Sequence, residues 1–385
     1  MLRFYLTAMV SLTLLGVVAQ AEDTAGPAPA MMVSVSDHPS IQAAIDSLPT
    51  SGGIVQIPPG IFELSEPLKI RTSDTLIRGS GAATHLKNNN ADGLPAIEIA
   101  AATYDGKKTP KDDVLWRVQI VDLQVTGNPN SGDGLLAREV NEIFIHSVTV
   151  SRNGRHGIFL DRCYEDPRIS DNLITYNKAD GIRLEGNHDI VVSANHFEEN
   201  QTGLQCLDSF NLCMNGNNLD DHLGDGVIIE NTYGSVLSGN MIEECNGWGI
   251  IIDRDCYGIT ISANVIAHEF TGGIDLRDAH GCAISANTFT LAKNAGLAIR
   301  KGSGRVTVTG NNFCNSYTGD KNRRDSVSTK HEPEPDAAAG LLIETDEPIV
   351  VVGNMFSGMD GDPIVGSDKI IQAQLQTNLG MSKTK

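Results

Sequence analysis

Aromatic side chains are scarce in this chain: Phe, Tyr and Trp make up 5% of 385 residues, with only two Trp. Together with 39 Gly, that scarcity suits many short strands and tight turns and argues against a helical protein. Basic residues are also in deficit, with 29 Lys and Arg against 48 Asp and Glu, a net charge of −19. Phosphate binding needs clustered Lys and Arg, so nucleic acid is excluded as the partner. No Cys pair has the CxxC spacing of a metal site. The seven Cys are an odd number and read as small core or turn residues, with one disulfide left unassigned. After residue 18 no apolar run is long enough to cross a bilayer.

What is present begins with an export signal. Arg3 supplies a positive charge, an apolar run follows from Phe4 to Val18, and Ala19-Gln20-Ala21 fits a small-x-small cleavage site. Residues 1–21 are expected to be a signal peptide and 22–32 a flexible leader. The mature protein is then secreted or periplasmic, with no membrane span.

A repeat of about 23 residues dominates the rest. Gly followed by an aliphatic residue recurs at Gly134, Gly157, Gly181, Gly203, Gly226, Gly249, Gly273, Gly296 and, after a longer step, Gly340. Asn recurs at Asn172, Asn195, Asn217, Asn240, Asn264, Asn287, Asn311 and Asn354, and its long step falls at the same place. Two independent markers therefore share one period. After each Gly the first and third residues are apolar, as in Ile158 and Leu160 or Ile182 and Leu184, which marks a strand buried on one face. The Asn suits a left-handed turn and, stacked on the next coil, a ladder of amides. Two residues beyond it stands a large apolar side chain (Ile174, Phe197, Leu219, Ile242, Ile266, Phe289, Phe313, Phe356), expected to form an internal stack. A leucine-rich repeat shares the period, but its Leu/Asn signature and helical return are missing. The expected fold is all-β, a right-handed parallel β-helix solenoid over residues 33–369. Pro39–Leu48 reads as an amphipathic helix capping its N-terminal end (cap 37–64), and residues 370–385 as a C-terminal cap and tail.

The stretches Ser40-Ile41-Gln42-Ala43-Ala44-Ile45-Asp46, Gly52-Gly53-Ile54-Val55-Gln56-Ile57-Pro58-Pro59-Gly60 and Ile77-Arg78-Gly79-Ser80-Gly81 resemble the N-terminal region of the pectate-lyase-like superfamily. The later coils are similar to its repeat region. The resemblance covers nearly the whole mature chain and implies carbohydrate binding, usually of polyuronate, on one face of the helix. It stops short of a catalytic family. The Asp-Pro-His motif of mannuronan epimerases is missing, with Gly157-Ile158-Phe159-Leu160-Asp161 at the corresponding turn. The paired-Asp signature of polygalacturonases and the basic motifs of the main pectate lyases are missing too.

The second and fourth residues after each Gly point outward on one sheet and form stripes along the axis. The fourth-residue stripe reads Asp161, Glu185, Leu207, Glu230, Asp253, Arg277, Arg300, Glu344, and the second includes Arg183, Gln205 and Asp275. Such a row is either a solvated charged face or a site. As a site it serves a carboxylate pair for glycosidic cleavage, a Ca²⁺ position, or a lyase or epimerase, in which a cation or Arg neutralises a uronate carboxylate while a base takes the C5 proton. Basic residues cluster between 152 and 183, whereas from 184 to 276 Arg254 alone stands against fifteen Asp and Glu. An anionic polysaccharide is therefore expected to dock across Arg155, Arg162 and Lys178, with Gln205 and Trp248 as further contacts. His156 is the candidate proton shuttle, with Arg183, Asp161 and Glu185 as catalytic partners, although His in a turn is more often structural. Asp220, Asp221 and Asp225 are candidate Ca²⁺ ligands or a polar turn. Elimination or C5-epimerisation is the leading expectation, with a glycoside hydrolase and a non-catalytic glycan-binding or structural β-helix as alternatives. Residues 319–339 read as a loop inserted in one coil, either a lid over the same sheet or a loop without a role. Thr103–Asp113 is expected to wall the sheet's other end.

Overall fold

The computed structural model describes residues 31–314, 339–359 and 362–366. The signal peptide, most of the leader, nearly all of the inserted loop and the C-terminal cap lie outside the described residues.

Short strands wind into a parallel β-solenoid with every pairing parallel. One wall is a twelve-stranded sheet running from Leu68–Ile70 through Ile158–Asp161, Asp180–Glu185, Thr202–Leu207 and Val227–Glu230 to Ile364–Val365. A 23-stranded sheet forms most of the rest, with two short two-stranded sheets beside it. Its early strands, Gln119–Thr126 and Phe144–Ser151, run unbroken across two walls; later coils break at the bend, as in Arg168–Ser170 and Leu173–Thr175.

The register follows the repeat. Ile158 pairs with Ile182, Ile182 with Leu204, and Leu204 with Val227, so the residue after each Gly lies over its counterpart. The apolar residue two beyond each Asn is buried, and the rings of Phe289, Phe313 and Phe356 stack face to face at 4.6 and 4.9 Å.

The Asn column is the expected ladder. From Asn172 to Asn354 each side-chain Nδ2 donates to the Oδ1 of the next Asn at 2.9–3.0 Å, and the backbone N–H of each bonds the same oxygen. The left-handed residue is not the Asn, however, but the one before it: Asp171, Ala194, Gly216, Gly239, Ala263 and Ala286 all have φ between 55° and 68°. That bend turns the amide inward, where an unpaired polar group would be costly and the ladder satisfies it.

The recurrent Gly is required by space. A Cβ on Gly157 would lie 2.7 Å from the carbonyl oxygen of Gly181 and 2.9 Å from Ile174 Cγ2, because the wall meets its neighbour at this corner.

The N-terminal helix spans Ile41–Asp46, shorter than the expected Pro39–Leu48. Ser40 caps it by accepting from Ala43 N–H at 3.1 Å, and Ile41, Ala44 and Ile45 join the core. Gln42 reaches the outermost strand of the twelve-strand wall, donating to Lys69 O (3.1 Å) and accepting from Lys69 N–H (2.8 Å). This reciprocal pair satisfies backbone groups that an edge strand would leave open. All seven Cys are free and most are buried, in keeping with the reading as small core or turn residues.

Candidate functional site on the twelve-strand wall

Three outward columns line the wall: the residue before each Gly and the second and fourth after it. Strand register aligns the latter two, with Phe159 beside Arg183 beside Gln205, and Arg138 beside Asp161 beside Glu185. Reading the repeat only from Gly forward overlooks the first column, which carries Asp133, His156, Asp180 and Asp225 at one shared offset.

His156 belongs to that column and its side chain is 13% exposed. Its backbone N–H donates to Asp133 Oδ1 (3.1 Å), and its ring lies 5.5 Å from the Phe159 ring centroid. Its Nδ1 is 3.2 Å from Asp180 Oδ2 and 3.2 Å from the Asp180 backbone N, which donates to it. The two contacts correspond to two tautomers. When Nδ1 accepts from the backbone, a neutral ring carries its proton on Nε2, which then donates a hydrogen bond; when Nδ1–H bonds the Asp180 carboxylate, Nε2 is left as an acceptor. Asp180, overlooked in the sequence, is the residue that sets this choice. It also lies 3.7 Å from Arg183, which reaches Glu185 (3.4 Å) and donates to Gln205 Oε1. Gln205 passes the chain of contacts to Glu230 (2.9 Å).

Asp161 anchors the second half of the site. Arg162 contacts it at 2.7 Å and Arg138 at 3.7 Å, yet burial dominates and pushes its carboxyl up, helped by the nearby Glu185 and Glu139. Burial likewise raises Asp133, against the pull of Arg155 at 3.6 Å. Glu185 is more open, its side chain 43% exposed.

The Thr103–Asp113 stretch flanks this region. Arg162 holds it, donating to Tyr104 Oη (3.3 Å) and Lys107 O (3.1 Å) while pairing with Glu139 (3.3 Å); Glu139 in turn accepts from Thr109 N–H. Arg138 lies over the Tyr104 ring at 5.7 Å. Arg162, expected to grip substrate, is thus spent on bracing this loop. Lys178 is exposed and donates to Pro129 O (3.2 Å).

Trp248, expected as a substrate contact, is buried. It is 6% exposed, clustered with Ile251, Ala295 and Ala298 on the outer face, with Arg300 over its ring at 5.4 Å. Arg300 and Arg277 both bond the buried Asp275, at 2.6 and 2.9 Å. Asp225 is likewise separate from its expected partners: it accepts from Trp248 N–H at 2.7 Å, and burial raises its carboxyl. Asp220 and Asp221 instead come together with Glu244 on another wall, their ligand oxygens within 4.8 Å of one another; Glu243, Glu244 and His268 form an overlapping group. Oxygen-rich sets of this kind suit Ca²⁺. Burial and then the neighbouring carboxylates raise both Asp220 and Glu243.

The family model describing a right-handed β-helix region matches residues 77–219 and 200–313. The chain belongs to the right-handed β-helix family. Among solved structures it is similar to the Agl-KA catalytic domain (17% identity, TM-score 0.68, covering 92% of this chain and 69% of that one). It is also similar to the A-module of Azotobacter vinelandii mannuronan C-5 epimerase AlgE6 (17%, 0.62, 90% and 97%) and to PfbA, a surface adhesin of Streptococcus pneumoniae (13%, 0.67, 87% and 91%). It spans 57% of the length of the Geobacillus virus E2 ORF18 protein. At these identities the likeness is one of fold. No curated protein matches the sequence.

Proposed function

We propose that this β-helix protein is a glycan-processing enzyme whose twelve-strand wall cleaves glycosidic bonds with a carboxylate pair. The observation that carries the reading is Asp161 beside Glu185 in register, one coil apart. Strand spacing puts such positions ~4.8 Å apart, near the ~5 Å separation of a retaining pair. Their environments differ in the required sense. Burial favours the protonated form of Asp161, fitting a general acid, while the exposed Glu185 is placed to serve as nucleophile. His156, steered by Asp180, is the nearby proton carrier. The naming of a similar fold for a mannuronan C-5 epimerase supports a glycan as the partner.

Elimination or epimerisation of a uronate, the leading expectation from sequence, needs a cation to neutralise the sugar carboxylate. Arg138, Arg155, Arg162 and Arg183 are instead each within 4.0 Å of a protein carboxylate, which favours the hydrolytic reading. Incubation with a panel of polysaccharides should release new reducing ends without the ultraviolet absorbance of an unsaturated uronide. Asp161→Asn and Glu185→Gln should each cut the rate by roughly 10²–10⁴-fold while leaving the thermal midpoint in place. Unsaturated products, or full activity in both variants, would reject the carboxylate-pair assignment. Binding without any product would favour a carbohydrate-binding protein.

A further inference from the structure

Resting on the reading of the wall as a glycan site, we infer that the groove takes an uncharged polysaccharide laid along the solenoid axis and rejects polyuronates. From Gly134 to the coil of Gly340, the three outward columns hold nine carboxylates against four guanidiniums. None of the four is available as a bare cation. Arg138 faces Asp161; Arg183 faces Asp180 and Glu185; Arg277 faces Asp275 and, at 4.0 Å, Asp253; Arg300 faces Asp275 and, at 3.2 Å, Glu344. The flanking Arg155, Arg162 and Arg254 are paired as well, with Asp133, Asp161 and Glu230. Every guanidinium that reaches the wall is therefore tied to a carboxylate, while Lys178 meets only the Pro129 carbonyl; with the three flanking guanidiniums counted, nine carboxylates face seven guanidiniums, and the excess charge of the columns is negative but small.

A polyuronate laid along this surface would bring one carboxylate per sugar against that excess. Charges juxtaposed in this way oppose binding, and they do so more strongly in a groove partly withdrawn from water. An uncharged sugar meets the same groups favourably. Carboxylate oxygens such as those of Glu185 and Glu230 accept bonds from hydroxyls, the fixed guanidiniums donate to ring and hydroxyl oxygens, and Phe159 offers an apolar contact to the sugar face. Because equivalent side chains recur at the coil spacing of ~4.8 Å, an extended pyranose chain lying along the axis meets a fresh set at each step.

The test is a binding series on the full chain with glucan, mannan, polygalacturonate, alginate and chitosan oligosaccharides of equal length, at low and high salt. The expected result is binding of a neutral oligosaccharide with little salt dependence, and polyuronates weaker by roughly tenfold or more at low salt, a gap that narrows as salt screens the wall. Asp253→Asn should narrow the same gap by removing one repelling charge. Tighter binding of a polyuronate at low salt, abolished by Arg183→Gln, would overturn the inference. So would a preference for chitosan that salt erases, since the excess charge would then be selecting a cation. Failure of every oligosaccharide to bind would instead contradict the reading of the wall as a glycan site.

Discussion

Beneath the Gly column, one buried side chain per coil bonds the backbone of its neighbour. Asn153, Asn177 and Asn200 begin this second ladder, and His222, Cys245 and Glu269 continue it. Asn200 N–H donates to His222 Nδ1 at 3.2 Å, and Cys245 N–H to Glu269 Oε2 at 3.1 Å. The sequence hides this column because residue identity changes while the spacing of 22–24 residues persists. Each substitute has a cost. His222 Nε2 and Glu269 Oε1 have no hydrogen-bond partner among the described residues, and both side chains are within 1% of fully buried. Burial lowers His222 from its ordinary value near 6.5 to about 4, so the fold binds its proton less readily than the unfolded chain does. Its contribution is therefore complete above pH 6.5 and is lost as pH falls toward 4, on the order of 3 kcal/mol. Glu269 has the opposite sign: burial raises its carboxyl, so its contribution is lost as pH rises. His222→Asn should restore the amide ladder and remove the acid-side loss. Urea unfolding at pH 7.5 and pH 4.5 should show a large drop for the natural protein and a small one for the variant; equal drops would show that His222 is not the titrating group.

At the scale of the strand, the wall is shaped by its tight corner. A Cβ at Gly203 would lie 2.6 Å from Gly226 O and His222 Nε2 and 2.7 Å from Leu219, and Gly226 O and His222 are held by bonds from Leu204 N–H and Asn200 N–H. Gly203→Ala should destabilise by about 1–3 kcal/mol, measured as a fall in the unfolding midpoint at constant denaturant slope; an unchanged midpoint would mean the corner has slack. Strand positions and the in-register pairs were legible in the sequence, because Gly and Asn keep one period and period-two alternation assigns each intervening residue a face. Which cation meets which carboxylate was not legible. Arg155 and Asp133 lie on neighbouring coils, 22 residues apart in sequence, and only their placement shows that they pair. Asp180 was visible as a residue and overlooked as a partner for His156, since the reading started at each Gly and ran forward. Tyr104 could not be placed at all, because it lies outside the repeat and its position depends on the brace from Arg162.

For the whole molecule, a solenoid repeats one cross-section many times, so its core says little about chemistry and the site must lie where the repeat carries unusual side chains. On the twelve-strand wall that place is the run of coils from Asp133 to Glu230, where His156, Asp180, Asp161 and Glu185 gather. Trp248 and Asp275 belong to a separately packed patch further along. The most direct test is a crystal structure of Glu185→Gln soaked with the best-binding oligosaccharide. The sugar chain should lie parallel to the axis on the twelve-strand wall, with a glycosidic oxygen within hydrogen-bond reach of Asp161. An oligosaccharide seated on another wall, or crossing the coils away from Asp161 and His156, would contradict the account.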